Sequence, residues 1–253
     1  MIEWKKRDSI IAGWTMKDDT KPSHFSMALH TGHPHVDIIK NRQTLAEAIQ
    51  YPLEQFVCAQ QTHSANVHKV TYEDAGRGAF CYEEGIPSTD ALYTTEFDIV
   101  LSTFVADCIP LLFYNERDHI IGAIHSGWQG TLQNIVGTTF ATIQNNERRS
   151  IEDFHVFVGP SIQQHNFEVD RDVYEKFAKL DDALPFIHFK EETKKWHIDT
   201  RGVVQQQLIQ SGIPAHHLHF DERCTFDTSN AFSYRQNRQC GRHLGFIVQK
   251  KND

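Results

Sequence analysis

Residues 99–131 read IVLSTFVADCIPLLFYNERDHIIGAIHSGWQGT. Three dense apolar runs, 99–104, 109–114 and 119–125, each have the length of a strand. Because they are apolar throughout and do not alternate with polar residues, they predict the buried centre of a sheet. The third run passes through glycines into residues 127–144, where Leu132, Ile135, Val136, Phe140 and Ile143 recur at helical spacing. A strand that feeds a helix through a glycine turn is the signature of a mixed α/β architecture.

The flanking sequence continues the pattern. Residues 10–14 and 66–70 read as strands, and Val36, Ile39, Leu45 and Ile49 fit one face of a helix. A polar loop follows over 72–88. Further on come a strand at 155–158, helices near 170–179 and 201–210, and a closing strand at 243–248. No internal repeat, low-complexity tract or linker interrupts the chain. The expectation is one domain over residues 1–253, α/β or α+β, with a central mixed β-sheet flanked by helices.

Composition narrows the function. With 253 residues the chain can bury roughly 73% of its unfolded surface, so it needs no disulfide or metal to fold. The net charge of −8, without a basic stripe, argues against binding nucleic acid. The 16 histidines titrate near neutrality and carry that charge toward positive values as the pH falls. Cysteines at 58, 81, 108, 224 and 240 are odd in number and lack any Cys-x-x-Cys pair, which speaks against a disulfide framework or a zinc ribbon. The start, MIEWKKRDSIIAGW, does not read as a signal peptide, and residues 99–114 are too short and too interrupted for a membrane span. A cytoplasmic protein that does not engage membranes is expected, and the sequence leaves its oligomeric state open.

Three positions stand out chemically. Cys108 follows Asp107 at the break between two apolar runs, with Pro110 marking interrupted strand pairing there. His125 ends a buried strand just before glycines and a helix, the place where α/β sheets bind ligands. His63 lies in a polar turn, Gln60-Gln61-Thr62-His63-Ser64. One thiolate and two imidazoles suit Zn²⁺ with a fourth position left for water. The same residues also suit covalent catalysis, with Cys108 as nucleophile and His125 as base. Residue chemistry alone leaves both readings open.

Gln61-Thr62-His63, Ala106-Asp107-Cys108-Ile109-Pro110, His125-Ser126-Gly127-Trp128-Gln129-Gly130-Thr131, Gly159-Pro160-Ser161, Cys224-Thr225, Phe232-Ser233-Tyr234-Arg235 and Gly241-Arg242 occur in that order. Together they resemble the YfiH/YlmD family over nearly the whole chain. That family was once labelled multicopper polyphenol oxidase or laccase-domain protein, and was later assigned as purine nucleoside phosphorylase with adenosine deaminase and methylthioadenosine phosphorylase activities. The resemblance implies that His63, Cys108 and His125 are metal ligands in the active site, for zinc, with copper as the alternative. It also implies a fold related to the deamidase domain of cytotoxic necrotizing factor toxins, and purine nucleosides and phosphate as small-molecule partners. The family usually has Arg or Lys where Gln129 stands, and Thr is common where Cys240 stands.

The laccase label asks for several His-x-His pairs beside a blue-copper site. Only His33-Pro34-His35 and His217-Leu218-His219 have that spacing, and each reads as a surface pair. The His-x-Glu and Pro-Cys-x-x-Cys signature of cytidine-type deaminases is also missing. Asp107 is a candidate second-layer group behind the metal. For phosphate, the expected contacts are Arg42, Arg235 and the Gly127 and Gly130 turn, whose backbone amides can cradle an anion. The alternative is a metal-independent cysteine hydrolase or deamidase built on Cys108 and His125.

Overall fold

The apolar runs become strands because each is buried on both faces. The computed structural model describes residues 2–6, as backbone, and 9–251; residues 1, 7, 8, 252 and 253 of the expected 1–253 unit lie outside the described residues. The first strands are β1 (Ile2–Lys6), β2 (Ile10–Trp14), β3 (Phe56–Val57), β4 (Val67–Lys69) and β5 (Ala91–Thr94). They are followed by β6 (Val100–Val105), β7 (Ile109–Asn115), β8 (Ile120–Ser126), β9 (His155–Val158) and β10 (Glu168–Val169). The last are β11 (Ile187–Lys190), β12 (Lys195–Ile198), β13 (Leu218–Phe220) and β14 (His243–Gln249). The helices are α1 (His35–Ile49), α2 (Trp128–Leu132), α3 (Ile135–Glu147), α4 (Arg171–Phe177) and α5 (Thr200–Gln210).

A five-stranded sheet runs β1-β2-β14-β6-β3, and a six-stranded sheet runs β13-β9-β7-β8-β5-β4. Both are mixed: β3/β6, β4/β5 and β13/β9 pair parallel, and the other pairs are antiparallel. Side chains that alternate along a strand point to opposite faces. Trp14, Leu101 and Ile247 of the first sheet therefore meet Leu112, Tyr114 and Ile121 of the second in one core between the sheets. On the outer face of the five-stranded sheet, Phe104 and Phe246 pack with Leu45, Ala46 and Ile49 of α1. On the outer face of the six-stranded sheet, Phe113 and Ile124 pack with Phe140 and Ile143 of α3 and Leu208 of α5. The result is a helix–sheet–sheet–helix sandwich, in which each fully buried Leu, Ile or Phe contributes about 1.5–3 kcal/mol.

The α/β class matches the expectation, and the distribution of strands adds a finding. The three runs of residues 99–125 do not share one sheet: β6 belongs to the five-stranded sheet, and β7 and β8 belong to the six-stranded one. The chain passes between sheets at residues 106–108, where Asp107 takes a positive φ of 81°. The helix expected over 127–144 is broken into α2 and α3 at Asn134, whose left-handed backbone (φ 53°) and side-chain bond to the Gly137 amide start a new helix. In α1 the buried stripe is Ile38, Asn41, Arg42, Leu45, Ala46 and Ile49, while Val36 is 71% exposed. Within the six-stranded sheet Gly122 faces Phe113, and a Cβ there would lie 2.0 Å from the ring, so the close approach requires glycine.

A third, three-stranded sheet (β10-β12-β11) stands beside the sandwich with α4, around Phe177, Ile198 and Val203. Trp128 and Trp196 pack against this cluster, so the small sheet reaches the start of α2. Among the described residues, no helix is long and apolar enough to cross a membrane.

At the start of β14, the buried His243 accepts the Phe232 amide at Nε2 (2.7 Å). Burial pulls its pKa from 6.5 down to about 4. The unfolded state therefore binds the proton first, and stability is lost as the pH falls from about 6.5 towards 4. In denaturant titrations, the stability advantage of wild type over His243→Gln is expected to shrink by roughly 3 kcal/mol between pH 7 and pH 4. A pH-independent difference between the two would contradict this.

Candidate metal centre

The turn between the two sheets sets the position of Cys108. A left-handed backbone at a non-glycine residue costs about 1–3 kcal/mol and persists only when its surroundings hold it. Here the Asp107 carboxylate accepts hydrogen bonds from Thr225 Oγ1 (2.7 Å), Ser233 Oγ (3.0 Å) and the Arg235 amide (2.7 Å). Its carbonyl accepts the Ile162 amide as well. These bonds clamp the turn from two later segments of the chain. Asp107, expected behind the metal, is instead a brace on the backbone next to Cys108.

His125 comes from the C-terminal end of β8, opposite Pro110 of β7. Its Nδ1 bonds Asp90 Oδ1 at 2.8 Å, with both side chains essentially excluded from solvent. That contact leaves Nε2 as the nitrogen available for a ligand. The same Asp90 carboxylate accepts the amides of Thr62 (3.1 Å), His63 (3.0 Å) and Ser64 (2.8 Å), and the Ser64 hydroxyl (2.7 Å). His63 sits at the apex of this turn with φ 60°. Gln61 pins the turn to β6 by exchanging two hydrogen bonds with the backbone of Phe104. One carboxylate thus orients one histidine and fixes the backbone under the other.

One donor atom from each of His63, Cys108 and His125 lies within 4.8 Å of the other two, and His63 Nε2 is 3.8 Å from Cys108 Sγ. The imidazole rings meet edge to face, 4.8 Å between centroids. Gly127 closes the back of the cluster: a Cβ there would stand 2.5 Å from the His63 ring and 3.1 Å from Cys108 Sγ. Two imidazoles and a thiol on three separate elements, with a carboxylate behind one histidine, fit a borderline divalent ion such as Zn²⁺. Electrostatics favour the ligand form of the sulfur. Burial pushes the Cys108 thiol up, but the facing imidazoles of His125 and His63 outweigh it and bring its pKa down to about 6. Burial pulls His125 down, but Cys108 and Asp90 raise it to about 9. Burial likewise opposes ionisation of Asp90, yet the His125 and Ser64 hydrogen bonds hold its carboxyl at about 2. In the metal-free cluster the thiolate is therefore populated at neutral pH, and a metal ion that binds there displaces a proton from His125.

His63 and Cys108 open onto a cavity of about 460 Å³, within the range of small-molecule sites. Trp128, Phe167 and Tyr234 supply aromatic surface there, and Lys195, Arg235 and Arg238 supply positive charge. Arg235 is held over the Phe167 ring and donates to the Glu168 carbonyl at 2.8 Å. Lys195 is paired with Asp170 at 2.9 Å.

Of the residues expected to contact phosphate, Arg235 lines this cavity and Arg42 does not. Arg42 is only 2% exposed, and its guanidinium donates to the carbonyls of Met27 (2.8 Å), Gly78 (2.8 Å) and Ala79 (2.6 Å). Its Nε and Nη1 are spent on tying α1 to two loops, which corrects the expectation that it binds an anion. Gly127 lies behind the triad, and Gly130 packs within α2 against the Ser64 carbonyl. Asp90, Lys195 and Arg238 are additions that sequence reasoning missed. The only local signal for Asp90 is a carboxylate immediately before an apolar strand.

A family model described as multi-copper polyphenol oxidoreductase laccase matches residues 17–250. Purine nucleoside phosphorylase YlmD of Geobacillus stearothermophilus is 32% identical over 95% of this chain and 90% of its own length. YlmD of Bacillus subtilis is 29% identical, covering 96% and 89% of the two chains, and a purine nucleoside phosphorylase of Bacteroides thetaiotaomicron is 31% identical, covering 90% and 85%. The crystal structure of YlmD from Geobacillus stearothermophilus superposes with a TM-score of 0.90 at 31% identity, over 96% of this chain and 93% of that one. That of the hypothetical protein YfiH from Bacillus licheniformis gives 0.89 at 29%, over 95% and 93%.

Asp90 carries a test of the metal reading. Asn in its place presents a donor to the amides that the carboxylate now accepts. Asp90→Asn is expected to weaken Zn²⁺ binding to the chelator-stripped protein by about 10–100-fold, as for other outer partners of metal-bound histidines. Competition with a chromophoric chelator measures this, with the thermal unfolding midpoint as a control for folding. Unchanged affinity in a folded variant would contradict it.

Proposed function

Because the chain belongs to the family described as multi-copper polyphenol oxidoreductase laccase, and its relatives over 90–96% of its length are named purine nucleoside phosphorylases, we propose that it splits purine nucleosides with phosphate. The observation that carries this reading is the convergence of His63, Cys108 and His125 beside a cavity lined by aromatic and cationic side chains. Residues 1–253 act as one YfiH-like domain, with adenosine, inosine and 5′-methylthioadenosine as substrates and deamination of adenosine as a second activity. The reaction takes place in the cytoplasm, where the five free cysteines stay reduced.

In phosphorolysis a phosphate oxygen bonds to C1′ of the ribose as the bond from C1′ to the purine nitrogen breaks. The electron pair leaves with the base, which takes up a proton, and ribose 1-phosphate is released. The faces of Trp128, Phe167 and Tyr234 offer stacking surface for the purine. Arg235, Arg238 and Lys195 gather the phosphate and offset its charge as it approaches. Arg235 serves as a pre-oriented donor, because Phe167 and the Glu168 carbonyl already fix its guanidinium. His63, Cys108 and His125 hold the metal, zinc or copper in its place, which when bound supplies a Lewis acid beside the substrate. Asp90 keeps the His125 ring turned so that Nε2 faces Cys108, and Gly127 leaves room for the cluster.

The donor sets do not support multicopper chemistry. Among the described residues the two groups of His, Cys, Asp or Glu close enough to share an ion are His63/Cys108/His125 and His165/Cys224/Asp227. Neither the His33/His35 pair nor the His217/His219 pair joins a group, so a cluster of several copper ions lacks its imidazoles.

One observation favours a second reading. Asp90, His125 and Cys108 form the orienter, base and nucleophile order of a cysteine hydrolase, which works without metal. Chelation separates the two, since it spares a cysteine hydrolase and disables a metal enzyme.

The test is incubation with adenosine or inosine, with and without phosphate, followed by product separation. Free base and ribose 1-phosphate are expected only when phosphate is present, and inosine is expected from adenosine. Cys108→Ala and His125→Ala are each expected to lower turnover by about 10²-fold or more. Activity that survives metal removal, or full activity in both variants, would overturn the reading.

A further inference from the structure

Outside the cavity, His165, Cys224 and Asp227 bring one donor atom each within 4.8 Å of the other two. Cys224 and Asp227 lie three residues apart in one turn, where the Asp227 and Thr228 amides both bond the Cys224 carbonyl. His165 comes from the opposite segment, which is joined to the turn by the Ser161–Cys224 bridge. The three side chains belong to two separate stretches of chain, as in sites where an ion ties loops together.

The surroundings of Cys224 point to a ligand role. Its sulfur is buried and accepts two N–H groups, the Gln163 amide (3.4 Å) and Asn166 Nδ2 (3.3 Å). Asp227 Oδ2 accepts from His165 Nε2 (2.7 Å) and from the same Asn166 Nδ2 (2.8 Å). One electropositive NH₂ group thus bridges the sulfur and the carboxylate oxygen, the position a cation would take. Turned over, the same amide presents Oδ1, an oxygen donor. Both His165 and Asp227 are exposed, so an ion can enter from solvent.

We propose that His165, Cys224 and Asp227 form a second site for a borderline divalent cation of the Zn²⁺ class, separate from the His63/Cys108/His125 centre. Its donor set, one thiolate, one imidazole and one carboxylate, suits Zn²⁺ better than Mg²⁺ or Ca²⁺. The site braces a wall of the cavity. Thr225, next to Cys224, bonds Asp107, and the Asn166 carbonyl accepts from Arg235 at 3.5 Å. A cation here locks the segments that hold both residues.

The test uses the full chain, stripped with chelator and titrated with Co²⁺, whose bond to a thiolate produces a sulfur-to-metal charge-transfer band. Wild type is expected to take up two equivalents with that band. Cys108→Ser, which leaves the second site intact, is expected to keep one, and Cys224→Ser is expected to lose one. Because Cys224 is buried, Asp227→Asn provides a milder probe at an exposed side chain. Outer partners alone alter metal affinity by about 10–100-fold, so loss of this direct ligand is expected to weaken one of the two equivalents by at least about tenfold. The proposal is overturned if Cys108→Ser shows no thiolate band, or if folded Cys224→Ser and Asp227→Asn titrate like wild type. The Cys108→Ser titration requires no turnover, so its outcome is independent of which reaction the cavity performs.

Discussion

The buried carboxylate of Asp90 is the contact on which the arrangement of the site depends. Burying an ionised carboxylate costs several kcal/mol unless donors replace its water. Asp90 receives the amides of residues 62–64, the Ser64 hydroxyl and the His125 ring, and those donors hold it ionised. The dependence is mutual. Without the carboxylate, three amides in a tight turn lose their acceptor, His63 loses the backbone that carries it, and His125 loses the partner that orients its ring. One charge therefore couples two elements that approach the cavity from different parts of the chain.

The third donor is positioned by a constraint of the sheets. Two stacked sheets share a core, and the chain must pass from one to the other between β6 and β7. It does so in the few residues around Asp107, with a strained backbone compensated by bonds from Thr225, Ser233 and Arg235. Cys108 is the next residue, and it stands just before β7, an interior strand of the six-stranded sheet, close to where β8 delivers His125. The strain, the break in pairing and the reactive sulfur therefore coincide for one geometric reason.

Much of this is legible in the sequence, with limits that follow from locality. The runs at 99–125 announce buried strands because each face of each strand packs against a core. Their division between two sheets is hidden, because the break at 106–108 reads the same whether the chain turns within a sheet or leaves it. His63, Cys108 and His125 can be picked out by residue chemistry and by resemblance. Asp90 cannot, since its partners stand 26 to 35 residues away and are mostly backbone amides. Arg42 misleads for the reciprocal reason. An arginine on a helix ordinarily reaches solvent, and only the folded chain brings the carbonyls of Met27, Gly78 and Ala79 together around this one.

The central claim is that catalysis takes place at an ion held by His63, Cys108 and His125. Anomalous diffraction at the zinc and copper edges, from crystals of protein that turns over purine nucleosides, tests it most directly. The expected result is an anomalous peak bonded to His63 Nε2, Cys108 Sγ and His125 Nε2. Crystals of fully active protein with no anomalous signal between these three residues would contradict the account.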